Sequence, residues 1–112
     1  MRVRGDSMGP ALRDGQLLVI DRAAYRRRAP QHGEVVAARP ASLGGRALVK
    51  RLAGLPYEHV VLGAHQWQLG EGQFFLLGDR ADRSTDSRAF GPVSHSELLG
   101  PVALRLWPPF HF

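Results

Sequence analysis

Glycine or proline interrupts the chain at short intervals along its whole length. Between the interruptions no long segment keeps the 3.6-residue period of a helix. With 13 glycines and 8 prolines in 112 residues, what remains is room for short extended segments joined by turns. The expectation is a mostly-β chain. The length suits one domain, residues 1–112, with one modest core. There is no internal repeat and no low-complexity linker.

One short segment stands out. Ala47-Leu48-Val49-Lys50-Arg51-Leu52 reads as a strand, whose side chains alternate between two faces. Leu48, Lys50 and Leu52 then share one face, while Val49, Arg51 and Ala53 share the other. Lys50 falls between two leucines on the core side. An ammonium group there is costly unless it is paired or gives up its proton. A neutral lysine beside a hydroxyl is a general base. The alternative is a lysine whose stem lies in the core edge and whose head reaches water.

Gly5-Asp6-Ser7-Met8-Gly9-Pro10-Ala11-Leu12 places Ser7 on a tight turn, just before a helical turn that Pro10 can start. Two roles are open to this serine. It is an N-cap, or it is a nucleophile lifted clear of the backbone with amide N–H groups nearby. Gln16–Asp21 is a nearly continuous apolar run and reads as a central strand. Arg22 to Gln31 reads as a basic loop. Its Arg26-Arg27-Arg28 run is a solvated surface or a contact for phosphate or lipid. Glu34–Arg39 is a further strand that Pro40 ends, and Ser42–Gly45 is a loop. Residues 53–57 form a turn. His59–Leu62 and Gln66–Leu69 form a hairpin around Gly63-Ala64, and Gln73–Leu77 is a core strand. Gly78 to Pro92 is a charged loop between apolar strands, in which Asp86 and Arg88 can form a charge-assisted pair. Ser94-His95-Ser96-Glu97 has capping-box spacing and starts a helical turn through Leu98-Leu99. Gly100–Trp107 is the last strand, stopped by Pro108-Pro109. The aromatics Trp107, Phe110 and Phe112 either cover the core or form an apolar patch that meets a partner or a bilayer interface.

The formal net charge of +5 is compatible with an acidic partner but does not name one. With no cysteine, the chain has no disulfide, thiol nucleophile or cysteine metal site. The histidines show no metal-ligand spacing, and no glycine-rich phosphate motif opens a helix. Neither a metal nor a cofactor is expected. No apolar run approaches the roughly 20 residues that span a bilayer. Nor does a signal-peptide-like segment follow Met1-Arg2-Val3-Arg4. The chain as given reads as soluble or peripheral, with an upstream anchor left open.

Three separated pieces together resemble one family. Gly5-Asp6-Ser7-Met8-Gly9-Pro10-Ala11-Leu12 resembles the serine box of type I signal peptidases. Val49-Lys50-Arg51-Leu52-Ala53-Gly54-Leu55-Pro56 resembles their lysine box. Gly78-Asp79 through Gly91-Pro92-Val93 resembles their third motif, and the order and apolar flanks agree. The resemblance implies a small β-barrel-type catalytic domain with one or two short helical turns, and a serine/lysine dyad. Ser7 matches the nucleophile and Lys50 the general base. Ser84 matches a serine whose hydroxyl orients the lysine amine, Asp86 and Arg88 match a bracing pair, and Asp79 matches an aspartate after the strand. The oxyanion would rest mainly on the Ser7 backbone N–H. Gly5, Met8 and Pro10 would line that site, and Gly5 removes the hydroxyl donor that some members carry there. Arg80, Ala81 and Arg83 depart from the usual loop. The short stretch between Lys50 and Gly78 excludes the large extra β domain of some members.

The resemblance implies removal of leader peptides from preproteins, small side chains before the cut, and work at the outer face of the cytoplasmic membrane if an anchor precedes residue 1. Peripheral membrane contact is left open, and no specific nucleic acid is expected. The compact form also resembles cytoplasmic relatives that trim the leader of nickel-type superoxide dismutase. Self-cleaving domains of LexA type use the same dyad, but no DNA-binding segment or internal cleavage loop is visible here. A basic nucleic-acid-binding β module would interleave aromatics and cations on one exposed face. An inactive relative is the remaining alternative.

Overall fold

A computed structural model describes residues 1–3, 8–9, 14–80 and 85–107, with side chains through residue 103. The strands are β1 (Leu17–Ile20), β2 (Val35–Ala38), β3 (Leu48–Gly54), β4 (His59–Leu62), β5 (His65–Gln68), β6 (Gln73–Leu77), β7 (Val93–Ser94) and β8 (Leu98–Trp107). Two single helical turns, α1 (Ala24–Arg27) and α2 (Ser87–Phe90), interrupt them. The chain is mostly β, as its punctuation predicts. Six strands form one antiparallel sheet in the order β1-β8-β2-β3-β6-β7, curled as a half-barrel. The β4–β5 hairpin stands apart as a second sheet.

Core side chains lie on both faces of β2 and β3. In their register Val36 faces Lys50 and Ala38 faces Leu48. One cluster gathers Val36, Ala38, Leu52, Phe74, Leu76, Val93 and Leu98 with Ala24 and Tyr25 of α1. The other gathers Val3, Met8, Leu18, Ala37 and Val49. Val49 is therefore buried even though it lies opposite Lys50, and β3 reads apolar on both sides as a doubly covered strand should. A register shift between Leu52 and Gly54 bends β3 where the small hairpin packs. A methyl group on Gly54 would lie 2.9 Å from Leu69, Phe75 and Val60, so only glycine lets the hairpin approach. The Trp67 ring of that hairpin packs at a tilt against Phe75, with centroids 4.7 Å apart.

Several sequence expectations need correction. The apolar run at β1 is the outermost named strand at its end of the sheet, not a central one. Its outer side is taken by the first residues: the Leu18 N–H donates to the Met1 carbonyl at 2.7 Å and the Val3 N–H to that of Gln16 at 2.7 Å. Satisfying that edge locally lets an apolar strand sit outside the sheet. The Arg22–Gln31 stretch is not all loop, because burial of Ala24 and Tyr25 pulls it into the helical turn α1. Strand β3 runs on to Gly54, into the expected turn, because pairing with Phe75 holds it extended. The box at Ser94–Glu97 forms, but as a 3₁₀ turn over His95–Glu97. Leu98 and Leu99 belong to β8 instead, where Leu98 pairs with Ala38 and is buried.

Candidate functional site

Strand alternation delivers Lys50 to the Val36–Leu52–Leu76 face, where only 5% of the residue remains exposed. Burial among apolar side chains disfavours the ammonium and moves its pKa below the ordinary lysine value of 10.5. The Asp86 carboxylate opposes this shift and the Arg88 guanidinium adds to it. Burial is the largest of the three influences, so the amine is biased toward its neutral, proton-accepting form.

Asp86 and Arg88 brace the segment that faces this lysine. Asp86 is 1% exposed and caps α2 by accepting the Arg88 backbone N–H at 3.1 Å. Arg88 Nε donates to Oδ1 at 2.9 Å and Nη2 to Oδ2 at 2.7 Å, a two-pronged ion pair. The Gly78 N–H donates to Oδ2 at 2.9 Å, tying the end of β6 to the same carboxylate. That pairing also keeps Arg88 protonated beyond its ordinary range. Ser87 is fully buried and its Oγ accepts the Leu76 N–H at 2.9 Å. Ser87 received no role in the sequence reading, and its signal is only a hydroxyl inside a short turn beside a capping aspartate.

Asp79 lies on the other face. Arg51 Nε and Nη2 donate to its two oxygens at 2.9 and 2.8 Å, which holds its carboxyl below the ordinary range. Arg51 Nη1 also donates to the Gly33 carbonyl at 2.9 Å. The clamp therefore joins β3, the end of β6 and the turn before β2. The Asp79 N–H points at the Met8 sulfur, 3.4 Å away. Met8 is buried with Val49 and Ala37. The chain thus passes, one residue after Ser7, within reach of the clamp on the lysine strand. Arg51 as the partner of Asp79 was not anticipated. Its signal was the antiparallel offset that sets Arg51 opposite Leu77, two residues before Asp79.

The fold brings Lys50, Asp86 and Arg88 together, and places Asp79 and Met8 across β3 from them. Gly5, Ser7, Pro10 and Ser84 lie outside the described residues. Among the described residues no group of His, Asp or Glu side chains could hold a metal ion.

The family model described as "Signal peptidase, peptidase S26" matches residues 1–66 and 61–107. The mitochondrial inner membrane protease subunit 1 of Xenopus tropicalis is 29% identical, over 93% of this chain and 66% of that protein. The mitochondrial ATP-independent inner membrane protease subunit 1a of Arabidopsis thaliana is 32% identical, over 98% and 71%. A probable signal peptidase I-2 of Synechocystis is 28% identical, over 95% and 62%. The chain thus spans about two thirds of the length of these relatives. A crystal structure of a signal peptidase I from Enterococcus faecalis superposes with a TM-score of 0.57 at 25% identity, covering 67% of this chain and 97% of that one.

Proposed function

The chain belongs to the signal peptidase family, peptidase S26, and from that premise we propose that it is a serine endopeptidase working through Ser7 and Lys50 on the leader peptides of preproteins. The observation that carries this reading is the state of Lys50, a lysine buried on an apolar face and biased toward its neutral amine. In the proposed reaction the Lys50 Nζ lone pair takes the Ser7 Oγ proton, and Oγ attacks the scissile carbonyl. The tetrahedral oxyanion rests on the Ser7 backbone N–H, with Gly5 and Pro10 shaping its surroundings, while the Met8 side chain anchors this segment in the core on the other face of β3. The Lys50 ammonium returns its proton to the departing amine. Water, deprotonated by the same amine, then hydrolyses the acyl-enzyme. Ser84 orients the amine, Asp86 and Arg88 hold the segment facing it, and Asp79 holds Arg51 and Met8 in place.

Residues 1–112 act in this reading as one catalytic unit. The relatives named for the mitochondrial inner membrane support a membrane surface as the place of action. No helix among the described residues is long and apolar enough to cross a membrane.

The test is cleavage of a preprotein carrying an Ala-X-Ala site, in detergent, by the wild type, Ser7→Ala and Lys50→Ala. Cleavage at that site that is lost in both variants is the expected result. Cleavage that survives both removes the dyad. Activity should rise toward alkaline pH with an inflection below the ordinary lysine value, because the base must be neutral. A profile that rises only toward acid contradicts the assignment.

A further inference from the structure

An open groove of about 720 Å³ lies away from Lys50, between α1 and the turn after β3. Tyr25, Leu55 and Phe74 supply apolar walls, and Arg26, Arg27 and Arg28 stand along one side. None of the residues lining it is acidic. Arg28 is engaged with Glu34, donating at 2.6 and 3.1 Å, and lies over the Tyr25 ring at 5.4 Å. Arg27 pairs with Asp21 at 3.0 Å but keeps most of its side chain in water. Arg26 is exposed and takes part in no ion pair among the described residues. The groove therefore offers an apolar slot with an uncompensated guanidinium at its lip. That is the complement of an apolar residue next to a carboxylate.

Its position relative to the lysine gives it a use. Alternation puts Phe74 on the same face of β6 as Leu76, which pairs with Leu52, on the face of β3 that Lys50 shares. The lysine and the groove thus lie at two ends of one face. The five steps from Lys50 to Leu55, the residue just past the end of β3, span at most about 16 Å at strand rise. That face is packed core, so a substrate passes outside it and needs at least about five extended residues to cover the distance.

Resting on the peptidase reading, we propose that this groove is a second substrate-binding site, which takes an apolar-acidic pair of the preprotein about five residues from the scissile bond. It would select among substrates without touching the reacting atoms. Recognition through Arg26 predicts weaker binding as salt rises.

The experiment uses peptides with one Ala-X-Ala cut site and a Leu-Glu pair moved stepwise along both sides of it. Fluorescence anisotropy reports binding, and kcat and KM are measured separately. The expected result is a binding optimum about five residues from the cut on one side, carried in KM. Arg26→Glu should weaken it about tenfold and Arg26→Lys restore most of it, with kcat on a peptide lacking the pair unchanged. Equal binding at every offset, or binding indifferent to Arg26→Glu, overturns the proposal. If Arg26→Glu spares the peptide but abolishes binding to phosphatidylglycerol vesicles, the groove is a lipid site and the proposal also fails. Failure of the peptidase reading shows separately, as uncut peptide whose binding still follows, or does not follow, the Leu-Glu position.

Discussion

Lys50 and Arg51 are neighbours on one strand, and the fold treats their charges in opposite ways. Lys50 points into the Val36–Leu52–Leu76 face, where burial works against its proton. Arg51 points to the other face, where the Asp79 carboxylate holds it by two hydrogen bonds and strengthens its proton. Both faces carry core side chains, so apolarity alone does not separate them. The difference lies in which influence is larger. Arg51 meets a carboxylate in fork geometry, which a guanidinium suits. The Asp86 carboxylate, whose charge favours the Lys50 ammonium, also accepts from Arg88 and two backbone N–H groups, and burial outweighs its influence on the lysine. For Arg51 the carboxylate is the stronger influence and the cation is kept as structure; for Lys50 burial is the stronger and the cation becomes a candidate base.

Substitutions can break this contrast. The largest effect is expected from Lys50→Arg, which keeps the charge and removes the accessible neutral state. kcat/KM should fall by about 10²–10⁴-fold in a peptide-cleavage assay, the usual worth of a general base. Retained activity would show that Lys50 is not the base. Next is Asp86→Ala, which strips Arg88, the Gly78 N–H and the α2 cap of one buried acceptor. A loss of about 3 kcal/mol in urea unfolding is expected.

The smallest effects sharpen the comparison most, because their signs oppose. Arg51→Met should destabilise by at most about 1 kcal/mol, since the Arg51–Asp79 pair is partly exposed. Lys50→Met should raise Tm by a few degrees at pH 7. The native state there binds the lysine proton less tightly than the unfolded chain does, so the charged lysine lowers stability at and below its native pKa. That cost fades as pH rises through the native pKa toward the ordinary value of 10.5, and the advantage of Lys50→Met should fade with it. Thermal unfolding of both variants across pH 7 to 11 checks the pair. An equal loss in both would mean that Lys50 is held as a structural cation like Arg51.

The residues that read correctly are those governed by neighbours in sequence. The face shared by Leu48, Lys50 and Leu52 follows from strand alternation, and the capping box at Ser94 and Glu97 follows from i to i+3 spacing. The Asp86–Arg88 pair spans two residues and was visible for the same reason. The misreadings came where distant chain decided. An apolar run at β1 looked central because nothing local reveals that Met1 and Val3 will cover its edge. Leu98 looked like the end of a helical turn because its pairing partner, Ala38, lies sixty residues earlier. Ser87 and Arg51 escaped notice since their partners, Leu76 and Asp79, meet them only when α2 packs on β6 and β3 pairs with β6.

By itself, the sequence determined the β character of the chain, the short turns and which face Lys50 takes, because these depend on glycine, proline and a period of two. It also carried the three ordered motifs that mark the family. Only the tertiary structure decided that both faces of β3 would be covered, that burial among apolar side chains would be the largest influence on the lysine, and that Arg51 would be clamped to Asp79. Those outcomes depend on which strands become neighbours. That choice is made by long-range packing of two clusters, and no local pattern of residues encodes it.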